Sequence, residues 1–114
     1  MDSQSLADTT PYRFFQIVSQ DSLPNGERLF VEVEGLPIVI LNIGGIFYAI
    51  DDVCTHDNGP LGDGDLDGHT IICPRHGARF DIRNGKALSL PAYKNIDTYP
   101  VRVVSGMIEI GVPA

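Results

Sequence analysis

Two short clusters of thiol and imidazole side chains, Cys54-Thr55-His56 and Cys73-Pro74-Arg75-His76, stand sixteen residues apart in the chain. Between them they hold both of its cysteines and two of its three histidines. A fold that uses all four donors must aim two loops at one point from opposite sides. Few arrangements satisfy that demand. Soft thiolates and borderline imidazoles suit a transition-metal centre. Two Cys and two His are also a standard structural zinc set, so the spacing alone leaves the metal open.

The rest of the chain supplies short strands to carry those loops. Tyr12 to Val18 is rich in aromatic and β-branched residues and reads as a strand. Pro24-Asn25-Gly26 is a turn signal, after which Glu27 to Glu34 alternates as a half-buried strand would. Gly35 breaks it, and Pro37 to Ile43 is a continuous apolar run that suits a strand covered on both faces. Gly44-Gly45 then predicts a hairpin into Ile46 to Ile50. From Asp51 to Ile71 the pattern lapses into Gly, Asp and Pro, as in a functional loop. Strands return at Thr70 to Ile72, Arg79 to Ile82, Thr98 to Val104 and Met107 to Gly111, with turns at Asn84-Gly85 and Ser105-Gly106. No window has helical periodicity. The 12 glycines and 8 prolines fit many turns, and with no Trp the core must come from Val, Ile, Leu, Phe and Tyr. The fold class expected is all-β: residues 1–10 a loose tail, and residues 11–114 one domain.

Charge narrows the partners. Fifteen acidic against eight basic residues give a net −7, a surface that a phosphate backbone repels, so nucleic acid is not expected. Acidity suits steered docking on basic protein patches, and equally plain solubility. The apolar run Leu36 to Ile43 is too short to span a bilayer, so no membrane role is expected. Met1-Asp2-Ser3-Gln4-Ser5 has no basic or apolar leader character. Two cysteines in such a chain point to a reducing cytoplasm, where thiols bind metal more often than they pair.

The two clusters match C-x-H followed by C-x-x-H, and in this the chain resembles the Rieske family of [2Fe–2S] proteins. Gly59-Pro60-Leu61, the run Cys73 to Asp81, Gly85, Pro91 and Tyr99-Pro100-Val101 carry the likeness over about residues 12 to 112. The resemblance implies one Rieske [2Fe–2S] cluster ligated by Cys54, His56, Cys73 and His76. Small antiparallel sheets would form an incomplete barrel beneath a loop-rich cluster-binding portion, about residues 52–92. Around the cluster it places Gly59, Pro60, Leu61, Arg75, Gly77, Ala78 and Phe80, with Pro91 in a third covering loop. Replacing two thiolates by neutral imidazoles raises the potential above that of all-Cys ferredoxins, the known consequence of this ligation. An oxidised core with two thiolates is neutral, so an added electron takes it only to −1.

Departures from the family's high-potential branch sharpen the implication. That branch ties its two loops with a disulfide; Gly59 and Arg75 occupy those positions here. It also uses Ser and Tyr hydroxyls to bond cluster sulfurs, where this chain has Ala78 and Phe80. Fewer donors disfavour the reduced state. The chain is therefore similar to the soluble ferredoxins that take electrons from an NAD(P)H-dependent flavin reductase and pass them to a terminal oxygenase. His56 and His76 would be the electron exit, at a tip surrounded by Gly59, Pro60, Leu61, Arg75, Pro91 and Ala92. No catalytic site of its own is expected, and the length leaves no room for an oxygenase's second iron domain. A small subunit of an assimilatory nitrite reductase and a redox-sensing module are the alternatives.

Other chemistry-bearing residues have plainer readings. Asp63 to Gly68 imitates the start of an EF-hand loop, but its twelfth position is Pro74 in place of Glu, so a glycine-rich turn is expected. His69 reads as a solvent-exposed turn residue and Asp51-Asp52 as a solvated pair. Arg75 and Arg79 read as surface solubilisers or docking charges. Phe30, Val31, Val39, Ile43, Phe47 and Ile50 are assigned to the core, with no pocket among them.

Overall fold

The computed structural model describes residues 11–55 and 57–114; the tail expected over residues 1–10 and the ligand candidate His56 lie outside the described residues. The architecture turns on one strand, β3 (Leu36–Ile43), whose five residues from Ile38 to Asn42 are all buried. Successive side chains of a strand point to opposite faces. Ile38 and Ile40 accordingly enter one hydrophobic core, while Val39 and Leu41 enter another. Each such burial contributes about 2 kcal/mol, so this strand alone is a large part of the gross stabilisation.

β3 lies between β2 (Arg28–Val33) and β4 (Ile46–Asp51), and β4 also pairs with β8 (Thr98–Tyr99). The β3–β4 hairpin closes through Gly44 and Gly45, both at positive φ (66° and 90°), as the tightest hairpin turns require. Buried Asn42 braces it: its Nδ2 donates to the Leu23 carbonyl (2.8 Å) and its Oδ1 accepts from the Gly45 N–H (2.9 Å). A second antiparallel sheet has the order β1 (Tyr12–Ser19), β10 (Met107–Pro113), β9 (Val101–Val104). It packs on the Ile38/Ile40 face through Ile108, Ile110 and Val112. The third sheet, β5 (Asp65–Asp67), β6 (Thr70–Ile72) and β7 (Arg79–Asp81), contributes Ile71 and Phe80 to the Val39/Leu41 core. All pairings are antiparallel, and no sheet closes into a barrel among the described residues.

The all-β reading holds, with three local corrections. The expected strand from Thr98 to Val104 is two strands, because Pro100 has no N–H for a ladder and marks the point where the chain leaves one sheet for another. The glycine-rich stretch between the clusters contains β5, whose acidic Asp-Leu-Asp sequence hides a pairing to β6. Phe30 is not core: it is 45% exposed, its ring lying over Gly62. Phe47, as expected, packs against the Ile38/Ile40 core, and it also lines a surface groove with Tyr48 and Tyr99.

Candidate metal centre

The first cluster opens the loop after β4, and the second is the turn between β6 and β7. Both loops share one hydrogen-bond frame. The Cys54 N–H donates to the Gly59 carbonyl (2.8 Å), and the Cys54 carbonyl accepts from the Asn58 N–H (2.7 Å). In the second loop the Cys73 N–H donates to the Ala78 carbonyl (2.7 Å), and the Cys73 carbonyl accepts from the Gly77 N–H (3.0 Å). The residue four beyond each cysteine is left-handed, Asn58 at φ 62° and Gly77 at φ 77°. Gly and Asn are the residue types that adopt this conformation most readily. Two sequence-distant segments thus present a cysteine in the same local geometry.

The cysteines are 0% and 1% exposed and share the Val39/Leu41 core with Leu61, Ile71, Ala78, Phe80 and Ala92. Neither forms a disulfide. One sulfur each from Cys54 and Cys73 and one carboxylate oxygen of Asp57 lie within 4.8 Å of one another. The Asp57 oxygens are already engaged: Oδ1 accepts from the Gly59 N–H (3.0 Å), and both accept from the Arg75 guanidinium (2.6 and 2.9 Å). That leaves the two sulfurs as the buried donors. His76 stands on the open side, its side chain 56% exposed. A buried pair of cysteine sulfurs with an exposed imidazole on the open side fits an iron–sulfur centre with mixed cysteine and histidine ligands.

The structure places the other sequence-predicted residues unevenly. Pro60 and Arg75 are on the surface, Gly59 and Pro91 are half-buried, and Gly77 forms the second turn. Leu61 (0% exposed) and Ala92 (5%) do not surround a tip, because both are packed into the core around the cysteines. Ala78 and Phe80, also 0% exposed, form an apolar wall. Arg75 is solvated only on one side, for it bonds Asp57, the Pro60 carbonyl (2.7 Å) and Cys73 Sγ (3.4 Å). Its pKa is raised further, first by the hydrogen bonds to Asp57, so it stays a cation.

The Asp51-Asp52 pair is not simply solvated. Asp52 Oδ1 accepts from the N–H groups of Leu61 (3.0 Å) and Gly62 (2.5 Å), anchoring the far end of the first loop. The Asp51 carboxyl is pushed up to about 6, first by burial and then by Asp97 and Asp52. His69 is half-buried, its ring edge-on to Tyr48. Its carbonyl accepts from the Ile82 N–H (2.8 Å).

Sequence reasoning missed Asp57, whose signal was an Asx-turn spacing to Gly59. It also missed an apolar rim on the third loop, where Leu90 is 71% and Tyr93 88% exposed. Thr55 Oγ1 donates to the Lys94 carbonyl (2.5 Å), holding that loop against the first cluster.

Comparison with known proteins agrees with this geometry. Residues 13–100 match the Rieske [2Fe-2S] domain family. The ferredoxin component of the naphthalene 1,2-dioxygenase system of Pseudomonas putida is 40% identical over 91 residues, 80% of this chain and 88% of that one. The 3-phenylpropionate/cinnamic acid dioxygenase ferredoxin subunit of Escherichia coli K12 is 45% identical over 92 residues, 80% and 86% of the two chains. Among solved structures, a chain in the complex of reduced oxygenase and oxidized ferredoxin in carbazole 1,9a-dioxygenase superposes with a TM-score of 0.79. It is 30% identical and aligned over 85% of this chain and 91% of that one.

Proposed function

Because the chain belongs to the family of Rieske [2Fe–2S] domains, we propose that it is the ferredoxin component of a ring-hydroxylating dioxygenase system, carrying single electrons to a terminal oxygenase. When bound, the cluster supplies one-electron storage at a centre that passes only from neutral to −1. Residues 11–114 form one domain, of which about 52–92 is the cluster-binding portion. Cys54 and Cys73 would hold one iron of the cluster, and His56 and His76 the other. The observation that carries this reading is the shared frame of the two loops, which brings two buried cysteine sulfurs together beneath an exposed His76.

The chain's own residues divide the work. Leu61, Ala78, Phe80 and Ala92 exclude water from the thiolate side. Ala78 and Phe80 offer no hydroxyl to the sulfurs, so the potential lies toward the low end of the Rieske range, roughly −150 mV. Electrons leave on the His76 side, where exposed Pro60, Leu90 and Tyr93 permit a close approach by the oxygenase. A flavin reductase using NAD(P)H supplies them. The chain has no catalytic site of its own and works in the cytoplasm. No helix among the described residues is long and apolar enough to cross a membrane.

The test is spectroscopic. Purified protein should be red-brown, with two irons and two acid-labile sulfides per chain, as the cluster type demands. EPR after dithionite reduction should show mixed Cys/His ligation, and NAD(P)H with a flavin reductase should reduce it in cycles reoxidised by an oxygenase. A colourless protein with one zinc per chain would sink the proposal.

A further inference from the structure

We infer that Arg75 is a positioning residue that straps the two ligand loops together and sets the electron affinity of the centre through Cys73; this rests on the functional reading above. One guanidinium from the second loop makes three bonds to the first. Nε and Nη2 fork onto the Asp57 carboxylate (2.6 and 2.9 Å), and Nη1 donates to the Pro60 carbonyl (2.7 Å). Nη2 also points at Cys73 Sγ, 3.4 Å away. Planar, bidentate bonding of this kind fixes geometry as well as charge, and a lysine cannot reproduce it.

The first loop is built to receive it. The Gly59 N–H on Oδ1 (3.0 Å) helps hold the Asp57 carboxylate toward the second loop. A Cβ on Gly59 would lie 2.7 Å from Arg75 Cζ and 2.8 Å from Nη2. Glycine at this position leaves the space that the guanidinium fills. The loops have no covalent link, since Cys54 and Cys73 form no disulfide. Among the described residues, cross-loop side-chain contacts run through Arg75 and Asp57, whose Oδ2 also lies 3.6 Å from His76 Nδ1.

Two consequences follow for a loaded centre. A cation donating to a ligand sulfur stabilises the more negative, reduced state, so losing it lowers the potential. A strap between loops slows their separation, so losing it speeds release of the metal.

The experiment compares wild-type holoprotein with Arg75→Met, Arg75→Lys and Gly59→Ala. Gly59→Ala retains the guanidinium but evicts it from its seat. Midpoint potentials come from dye-mediated titration and cluster loss from bleaching in excess EDTA. Arg75→Met and Gly59→Ala should each weaken the reduced state by up to tenfold, a negative shift of up to about 59 mV for one electron. Both should bleach about tenfold faster. Arg75→Lys should recover most of the potential but not the retention, because it restores charge without the fork. If Arg75→Met holds too little cluster to titrate, Gly59→Ala carries the potential measurement. Wild-type potential and bleaching rate in Gly59→Ala and Arg75→Met would overturn the inference alone. A wild-type protein with no [2Fe–2S] cluster would overturn the functional reading and the inference with it.

Discussion

Asp51 and Asp52 are adjacent carboxylates with opposite effects on stability, and Asp51→Asn separates them. Burial, Asp97 and Asp52 together raise the Asp51 carboxyl from 3.8 to about 6. A raised folded-state pKa means that the fold favours the neutral form. Its stabilising contribution is complete below about pH 3.8 and is lost as pH rises through about 6. Above that pH the ionised group works against the fold. A shift of about 2 units corresponds to at most about 3 kcal/mol, and the solvent that still reaches the half-buried carboxyl screens this to about 1 kcal/mol. Asparagine keeps the shape and is neutral at every pH. Asp51→Asn should therefore stabilise the protein by about 1 kcal/mol at pH 8, roughly 4 °C in Tm, and by nothing measurable at pH 4. Thermal unfolding followed by far-UV circular dichroism at both pH values is the assay. Asp52→Ala should instead lose about 1–3 kcal/mol, since it strips the acceptor from the N–H groups of buried Leu61 and Gly62. A gain for Asp51→Asn that persists unchanged at pH 4, or a loss at pH 8, would refute the burial argument.

Leu61→Ala should cost about 2–5 kcal/mol and release the cluster, because the side chain is fully buried among the cysteines; chemical denaturation and the visible spectrum report it. Leu90→Ser with Tyr93→Ser should leave the visible spectrum and potential unchanged while slowing electron delivery to the oxygenase several-fold in stopped-flow mixing. The wild-type potential itself should titrate below zero, near the bottom of the Rieske range.

The sequence told most where local physics acts alone. The apolar run of β3 announced burial on both faces, and Gly44-Gly45 announced its hairpin. It told less where one residue's meaning depends on a partner far along the chain. The sequence offers Gly59 and Arg75 as tip residues without a disulfide and Arg75 as a surface charge, yet they meet as a seat and its occupant. The resemblance groups Leu61 with Gly59 and Pro60 at the tip, but Asp52 holds the backbone at that point and the Leu61 side chain is buried. β5 was lost because a three-residue strand of Asp-Leu-Asp owes its existence to β6, not to its own propensity. Tyr93 and Leu90 belong to the same class: apolar residues whose exposure follows from the anchoring of Ala92 between them.

Arg75 also bears on how far the missing hydroxyls lower the potential. Ala78 and Phe80 remove two neutral donors and line the sulfurs with apolar surface, and both changes disfavour an added electron. Arg75 supplies a charged donor, which acts the other way. Its charge is not isolated, however: the carboxylate of Asp57 lies 2.6 Å from Nε, nearer to the guanidinium than the Cys73 sulfur at 3.4 Å. An Asp57 oxygen also lies within 4.8 Å of both cysteine sulfurs, so the centre meets a cation and an anion side by side and their charges largely offset. An offset pair stabilises added negative charge less than a lone cation would, so a redox titration is still expected to fall toward the low end of the Rieske range.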